Sequence, residues 1–255
     1  MKDKEYEYYD SIKDWSFDKF EIESDHVTNW DMYEILREVT DENSRVLDLG
    51  TGGGEKVLSS FPKYLREVLG TDYSEGMIET ANRNLKLSGG SNISFRVMDN
   101  LAMDVEKEYF DVVVARNTVT DAKQIYEVLK PGGYLLIHGV DMYDCYELKR
   151  IFGRGQAVND SRPISIVDYD AVLDAGFRKA ELVPLHVREY FKNKELLKTF
   201  LLKVPILDDF SEEGLEEHVH RNDLEDEKLD QYIERNTEKG KIKLLRRYYG
   251  IVAQK

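Results

Sequence analysis

The sequence is short of cysteine and has no long hydrophobic run, and each shortage excludes a class of structure. Cys145 is the only cysteine among 255 residues, which excludes an internal disulfide and a cysteine-cluster zinc site. No apolar run approaches the roughly 18 residues that a membrane helix requires. The opening sequence MKDKEYEYYD lacks the apolar core of a secretion signal. We therefore expect a cytoplasmic protein with no membrane partner.

Positive charge is also in short supply, and this lowers the expectation of general nucleic-acid binding. The chain has 36 Lys and Arg residues against 50 Asp and Glu residues, a formal charge of −14. Residues 1–42 carry −9 and residues 208–238 carry −10, so the remainder carries +5. We predict an acidic cap over a mildly basic core, which would favour neutral or cationic ligands. A solvated acidic surface is the alternative interpretation.

Short apolar stretches alternate with helical patterns along most of the chain. Strands are predicted at 45–49, 67–72, 93–98, 110–115, 134–138, 177–190 and 242–253. Helices are predicted at 27–40, 55–60, 74–89, 122–129, 143–152, 167–175, 195–203 and 224–235. This alternation predicts an α/β fold with a doubly wound, parallel sheet. The two late strands would finish the sheet, with a helical insert at about 192–238 between them.

The segment Val46-Leu-Asp-Leu-Gly-Thr-Gly-Gly-Gly54 runs from a buried strand into a glycine-rich turn. Glycines allow the backbone to approach a ligand, and the following helix N-terminus offers free N–H groups. A dinucleotide fingerprint would need a third glycine at position 55, where the sequence has Glu55. An NAD-dependent oxidoreductase is therefore disfavoured, and a structural strand–helix turn is the remaining alternative.

Two further acids follow predicted strands. Asp72 ends the second strand, 24 residues after Asp48, and Asp99 follows the third strand within Met98-Asp99-Asn100. In a doubly wound fold the carboxyl ends of such strands line the ligand crevice. We therefore expect Asp72 to accept the two hydroxyls of a ribose and Asp99 to accept an exocyclic amine of adenine. Helix capping and loop structure are the alternative roles of these two carboxylates.

Five segments in this order resemble the class I S-adenosylmethionine-dependent methyltransferases, in the manner of a bacterial small-molecule member. They are VLDLGTGGG, LGTDYSEGMIETA, VMDN, FDVVVARN and LKPGGYLLI, within residues 45–140. The resemblance implies a Rossmann-like, seven-stranded, mostly parallel sheet whose last strand is antiparallel. It implies an N-terminal arm at 1–42, a methyltransferase domain at 43–255 and S-adenosylmethionine as cofactor. The cofactor-binding residues implied are Asp48, Gly50, Thr51, Gly52, Gly54, Asp72, Tyr73, Met77, Asp99, Asn100, Ala115, Arg116 and Asn117.

The acceptor side departs from several patterns within that family. The segment Arg116-Asn-Thr-Val119 is not the N/D-P-P-Y/F sequence of amino- and adenine-directed enzymes. No metal-ligand constellation of the catechol type is present, and Cys145 lacks the Pro-Cys context of cytosine C5 enzymes. These departures favour a small-molecule acceptor, with no metal and no nucleic-acid partner.

His138, at the end of the fifth predicted strand, is the candidate general base for an acceptor that must lose a proton. A plain strand-end histidine is the alternative. Four aromatic residues of the N-terminal arm would line the acceptor pocket, or would only attach the arm to the core: Tyr8, Tyr9, Trp15 and Phe17.

Two other functions stay open at the level of sequence. An RNA methyltransferase would use the basic remainder, namely Arg150, Arg154, Arg162 and the cluster at 241–247. A nonenzymatic module would bind S-adenosylmethionine without an acceptor site. The sequence hardly distinguishes such a module from an enzyme, because methyl transfer requires few specific side chains.

Overall fold

A computed structural model describes residues 20–208 and 224–255. Its strands are β1 (Glu23–His26), β2 (Arg45–Leu49), β3 (Glu67–Asp72), β4 (Ile93–Val97), β5 (Phe110–Arg116), β6 (Leu129–Val140), β7 (Arg178–Phe191), β8 (Thr237–Glu238) and β9 (Lys241–Gln254). They form one sheet in the order β1-β7-β9-β6-β5-β2-β3-β4, and β8 pairs with β9. Strands β2 to β6 are mutually parallel, whereas β9 runs antiparallel to both β6 and β7.

The helices are α1 (Met32–Glu38), α2 (Glu55–Ser60), α3 (Glu75–Ser88), α4 (Ala122–Val128), α5 (Tyr146–Phe152), α6 (Ile164–Ala175), α7 (Lys194–Lys203) and α8 (Asp226–Asn236). Helices α1, α2 and α3 pack on one face of the central strands, around Leu36, Val57 and Ile78. Helices α4 and α6 pack on the opposite face, around Ile125 and Val172. Both faces of the central strands are therefore covered, which explains their continuous apolar sequences.

The predicted fold class is confirmed: seven of the nine strands are the predicted ones, and the last is antiparallel. The prediction missed β1 and β8, which are short and polar. It also began the first helix too early. Asp31 caps α1 by accepting from the backbone N–H groups of Tyr33 and Glu34, so the helix begins at Met32. Val27 instead donates its N–H to the carbonyl of His186 and continues the β1–β7 pairing.

A third apolar cluster lies where β7 and β9 extend beyond the central sheet. Phe191 and Leu244 from these strands pack against α5, α7 and α8, with Phe200 and Leu229 among the buried residues. A buried ion cluster stands beside it. Arg246 donates to both oxygens of Asp144, at 3.0 and 3.2 Å from Nε, and lies 3.4 Å from Glu189. The cluster joins the segment after β6 to the extended strands.

Candidate functional site

The carboxyl end of β2 leads into a turn that only glycine can follow at several positions. Gly50, Gly52 and Gly54 have φ values of +68°, +56° and +77°, in the left-handed region. A Cβ at Gly50 would lie 2.6 Å from the side chain of Thr118, and one at Gly54 would lie 2.7 Å from the ring of Phe95. The turn is therefore fixed both by backbone conformation and by close packing.

Asp72, at the end of β3, is hydrogen-bonded to this turn. Its Oδ2 accepts the backbone N–H of Gly52 at 2.9 Å, and its Oδ1 accepts that of Ser74 at 3.0 Å. Burial raises the pKa of Asp72, although these backbone N–H groups oppose the shift. Tyr73 follows with half of its surface exposed, while Met77 is buried in α3. The structure thus places the predicted β3 residues beside the glycine turn.

Asp99 and Asn100 follow β4 at the same edge of the sheet. One oxygen of Asp99 accepts the N–H of Leu101 at 2.8 Å. Asn100 is buried and donates to Thr118 Oγ1 at 3.0 Å and to the Val119 carbonyl at 3.2 Å. Its own Oδ1 is buried with no hydrogen-bond partner in the described part of the chain. A buried acceptor without a donor is unusual and points to a missing ligand or water.

The end of β5 meets the end of β6 at His138. Arg116 lies directly opposite His138 in the parallel pairing, and Asn117 donates its backbone N–H to the His138 carbonyl at 2.7 Å. Nδ1 of His138 lies 3.1 Å from Oδ1 of Asn117. Because an amide oxygen only accepts, Nδ1 carries the proton and Nε2 is the free acceptor of the ring. Asn117 has a φ of +51°, which the tight turn after β5 requires.

The surroundings of His138 keep its imidazole neutral. Burial lowers the pKa of His138 to about 4, with a further contribution from the Arg116 guanidinium. Its ring centroid lies 5.0 Å from that of Tyr248 and 6.4 Å from that of Trp30. A neutral histidine beside two aromatic rings is a proton acceptor across the whole physiological pH range.

Asp48 is the most deeply buried acid of the turn region. Burial raises its pKa to about 7, and the neighbouring Asp72 charge acts in the same direction. The Thr51 hydroxyl and the Arg116 guanidinium lower it by less. Asp48 is thus partly protonated near neutral pH and is sensitive to any cation that binds beside it.

Sequence reasoning missed several side chains in the surroundings of His138 and Arg116. Trp30 covers Gly250, where an added Cβ would lie 2.5 Å from the indole ring. Tyr33 comes from α1, Lys56 from the first turn of α2 and Tyr248 from β9. A hydrophobic pattern gives no signal for these four, because they meet only through the packing of α1 and β9 against the central sheet. The aromatic residues predicted from the N-terminal arm (Tyr8, Tyr9, Trp15 and Phe17) lie outside the described residues.

The residues at the strand ends fit a nucleoside cofactor that also carries an amino-acid group. The glycine turn is fixed in a left-handed conformation at the end of β2, Asp72 offers carboxylate oxygens, and Asn100 has an acceptor without a protein donor. Within residues 20–208 and 224–255, no three His, Cys, Asp or Glu side chains converge in a way that would hold a metal ion. No helix among these residues is long and apolar enough to cross a bilayer.

A doubly wound sheet with this crevice at its strand ends defines the Rossmann-like class of cofactor-binding proteins. The family model described as a methyltransferase domain matches residues 40–176. The chain belongs to this family, which confirms the prediction of a class I S-adenosylmethionine-dependent methyltransferase and of its cofactor. The match covers β2 to α6 and so contains the glycine turn, Asp72, Asp99 and His138.

Curated relatives agree on the class and differ in their acceptors. The chain is 41% identical over 97 residues to a demethylmenaquinone methyltransferase of Lactococcus lactis, covering 34% of this chain and 38% of the relative. It is 28% identical over 120 residues to a ribosomal protein L11 methyltransferase of Listeria innocua, covering 45% and 38%. The chain thus spans less than half the length of these relatives.

Solved structures show the same fold over most of the chain. A candidate methyltransferase from Bacillus halodurans C-125 superposes with a TM-score of 0.57 at 18% identity, covering 88% of this chain and 98% of the other. At this identity the likeness establishes the fold alone. It extends beyond the methyltransferase-domain match, which ends at residue 176.

Proposed function

We propose that this protein transfers a methyl group from S-adenosylmethionine to a small-molecule acceptor. The observation that supports it most is the meeting of the glycine turn, Asp72 and His138 at one edge of the sheet. When bound, the cofactor supplies an activated methyl group on a sulfonium. The protein then has to align the acceptor, exclude water and accept a proton where one is released.

On the cofactor side, the Gly50–Gly54 turn would lie beneath the amino-acid part, with Asp48 and Thr51 beside it. Asp72 would hold the ribose hydroxyls, and Asp99 would accept the adenine amine. The remaining cofactor residues would be Tyr73, Met77, Asn100, Ala115, Arg116 and Asn117. These assignments rest on the places of the side chains at the ends of β2 to β5.

On the acceptor side, His138 would be the general base and Asn117 would orient it. These residues would hold the acceptor in line with the methyl group that the bound cofactor would supply. Nε2 of His138 takes the proton that the acceptor loses. Desolvation lowers the basicity of His138, so this base suits an acceptor that ionises readily, such as an enol or a phenol.

Ion pairing argues for a small molecule over RNA. Within the basic cluster at 241–247, Lys241 pairs with Glu23 and Arg246 with Asp144. Arg154 is also paired with Asp208 and Arg162 with Asp170, whereas Arg150 and Arg247 form no ion pair within the described residues. Cations neutralised within the protein release fewer counterions on binding RNA and contribute less to its affinity.

We also propose that residues 43–255 form the catalytic unit and residues 1–42 an arm beside it. The test of the proposed function is release of S-adenosylhomocysteine in a screen of small metabolites, with a panel of RNA fragments alongside. Turnover with a metabolite that depends on His138 supports the proposal. Turnover with RNA alone, or tight cofactor binding without turnover on any acceptor, would favour the RNA enzyme or the nonenzymatic module.

A further inference from the structure

Arg116 is an exposed cation at the centre of the acceptor side. It ends β5 directly opposite His138, and its charge affects the pKa values of Asp48, Tyr33, Lys56 and His138. Within residues 20–208 and 224–255 its guanidinium forms no ion pair and no hydrogen bond. An arginine with five free donors beside a candidate base is suited to hold an anion.

Lys56 supplies a second cation to the same place. It lies in the first turn of α2, immediately after the glycine turn, and its ammonium has no partner in the described part of the chain. Burial lowers the pKa of Lys56, and the charge of Arg116 lowers it further. Two neighbouring cations repel each other, so a bound anion would relieve an existing cost.

The nearby acids do not neutralise this pair. Asp31 is engaged as the cap of α1, where its Oδ1 accepts from Tyr33 at 2.7 Å and from Glu34 at 3.2 Å. Asp48 is partly protonated near pH 7 because burial raises its pKa to about 7. Asp31 keeps its negative charge as a cap, but its effect on the pKa values of Lys56 and His138 is smaller than that of Arg116, so the positive charge beside His138 is only partly offset.

Aromatic rings border this positive site. Trp30 and Tyr248 lie 6.4 and 5.0 Å from His138, measured between ring centroids. Burial raises the pKa of Tyr33 to about 12, so its phenol stays neutral and keeps a hydrogen to donate. Flat rings beside two cations and a neutral phenol match a planar organic anion.

We infer that the methyl acceptor is a planar organic anion whose carboxylate is bound by Arg116 and Lys56 among the rings of Trp30, Tyr33 and Tyr248, while a separate hydroxyl loses its proton to His138 and receives the methyl group. The inference rests on the proposed function, because it assigns the acceptor of that reaction. It reverses the expectation from net charge, which favoured neutral or cationic ligands. The rival occupant of the two cations is the carboxylate of the cofactor itself, and the experiment separates the two.

The experiment compares benzoate with benzamide, a neutral molecule of nearly the same shape. Calorimetry first measures S-adenosylhomocysteine binding, and then measures each probe on the protein saturated with that product. Fluorescence of Trp30 in a Trp15→Phe background reports whether the probe binds beside the indole. The variants are Lys56→Gln and Arg116→Gln, with Lys63→Gln as the matched control, because Lys63 is an exposed lysine beyond the end of α2.

We expect benzoate to bind at least about 10-fold more tightly than benzamide, the usual gain from charge-assisted hydrogen bonds. Lys56→Gln and Arg116→Gln should each remove most of this preference, and Lys63→Gln should retain it. Equal binding of the two probes, or a preference that survives both variants, would overturn the inference. It is equally overturned if saturating S-adenosylhomocysteine abolishes benzoate binding, since the cations would then hold the cofactor.

The first titration distinguishes failure of this inference from failure of the proposed function. Absence of S-adenosylhomocysteine binding contradicts the proposed function, and the benzoate preference is then measured on the free protein. A parallel titration with 5′-methylthioadenosine, which lacks the amino-acid part, shows whether a variant affects binding of the cofactor's carboxylate. If Lys56→Gln weakens only S-adenosylhomocysteine and leaves benzoate unchanged, the anion site belongs to the cofactor.

Discussion

His138 combines a place at the end of β6 with surroundings that keep it uncharged. Burial and the Arg116 charge lower its pKa, and Asn117 fixes which ring nitrogen carries the proton. The sequence predicted a strand at 134–138 and so indicated that His138 lies at the end of that strand. It contained no sign of its protonation state, because Trp30, Tyr248 and Arg116 come from three other parts of the chain.

His138→Gln should lower the rate of methyl transfer by about 100-fold or more, the usual contribution of a general base, with cofactor affinity unchanged. His186→Gln, which changes an exposed histidine of β7, is the matched control. In the wild type at saturating S-adenosylmethionine, kcat/KM for the acceptor should fall on the acid side only through about pH 4, because protonation of His138 removes the base. An acid limb near pH 6.5 would contradict the assignment.

Asp48 should couple cofactor binding to proton release. The pKa of its buried carboxyl is about 7, so close to half of it is protonated at pH 7. A cationic ligand beside it lowers that pKa and expels the proton, in an amount of roughly half a proton per cofactor. Calorimetry in buffers of different ionisation enthalpy measures this number. Asp48→Asn should abolish it, and identical proton release in the variant would refute the coupling.

At the scale of elements, the sequence predicted those segments whose pattern is apolar and periodic. Val46–Leu49 and Val112–Ala115 are buried on both faces and were recognised as strands. β1 has the sequence Glu-Ser-Asp-His and is fully exposed, so no apolar alternation marks it. β6 begins at Leu129, ahead of the predicted start at residue 134, because Leu129 pairs with Phe110. The bounds of β1 and β6 therefore depend on strand partners that are distant in sequence, which a local pattern does not reveal.

Gly54→Ala tests the turn between β2 and α2. The change forces a left-handed φ on alanine and places its Cβ 2.7 Å from the Phe95 ring. Gly153→Ala is the matched control, since Gly153 lies in the same left-handed region, with a φ of +71°, and has no atom within 4 Å of an added Cβ. Both variants should lose about 1 kcal/mol through backbone strain. Gly54→Ala alone should lose stability beyond this amount, and its affinity for the cofactor should fall at least 10-fold. Denaturation measures the stability and calorimetry the affinity. Equal effects of the two variants would contradict the close packing at Gly54.

At the scale of the whole molecule, the sequence predicted which residues line the crevice at the strand ends. It did not predict which side chains surround His138. Asp72 and Asp99 lie at strand ends, and parallel strands carry their ends to one edge whatever the packing of the helices. Lys56 and Tyr248 reach the same place only because α2 and β9 pack where they do. Two acids of α8 proved to be locally paired, Asp226 with Lys198 at 2.9 Å and Asp230 with Lys194 at 2.6 Å. The predicted acidic cap stays a prediction, since residues 209–223 lie outside the described chain.

The buried ion cluster should be the main link between the central sheet and the extended strands. Asp144→Asn leaves the buried Arg246 with only the more distant Glu189 carboxylate, which should cost about 3 kcal/mol of unfolding free energy. Asp226→Asn, which breaks exposed ion pairs, should leave stability nearly unchanged. Chemical denaturation compares the two variants. Similar stabilities would show that the cluster contributes little to holding the parts together.

Calorimetric titration of S-adenosylmethionine into the wild type and into Asp72→Ala tests the central claim most directly. Asp72 accepts two backbone hydrogen bonds at the glycine turn and would hold the ribose. Circular dichroism of the variant confirms that it folds. We predict saturable binding to the wild type and at least about a 10-fold loss in Asp72→Ala, as expected for hydrogen bonds to a charged group. No heat with S-adenosylmethionine, or unchanged affinity in Asp72→Ala, would contradict the account.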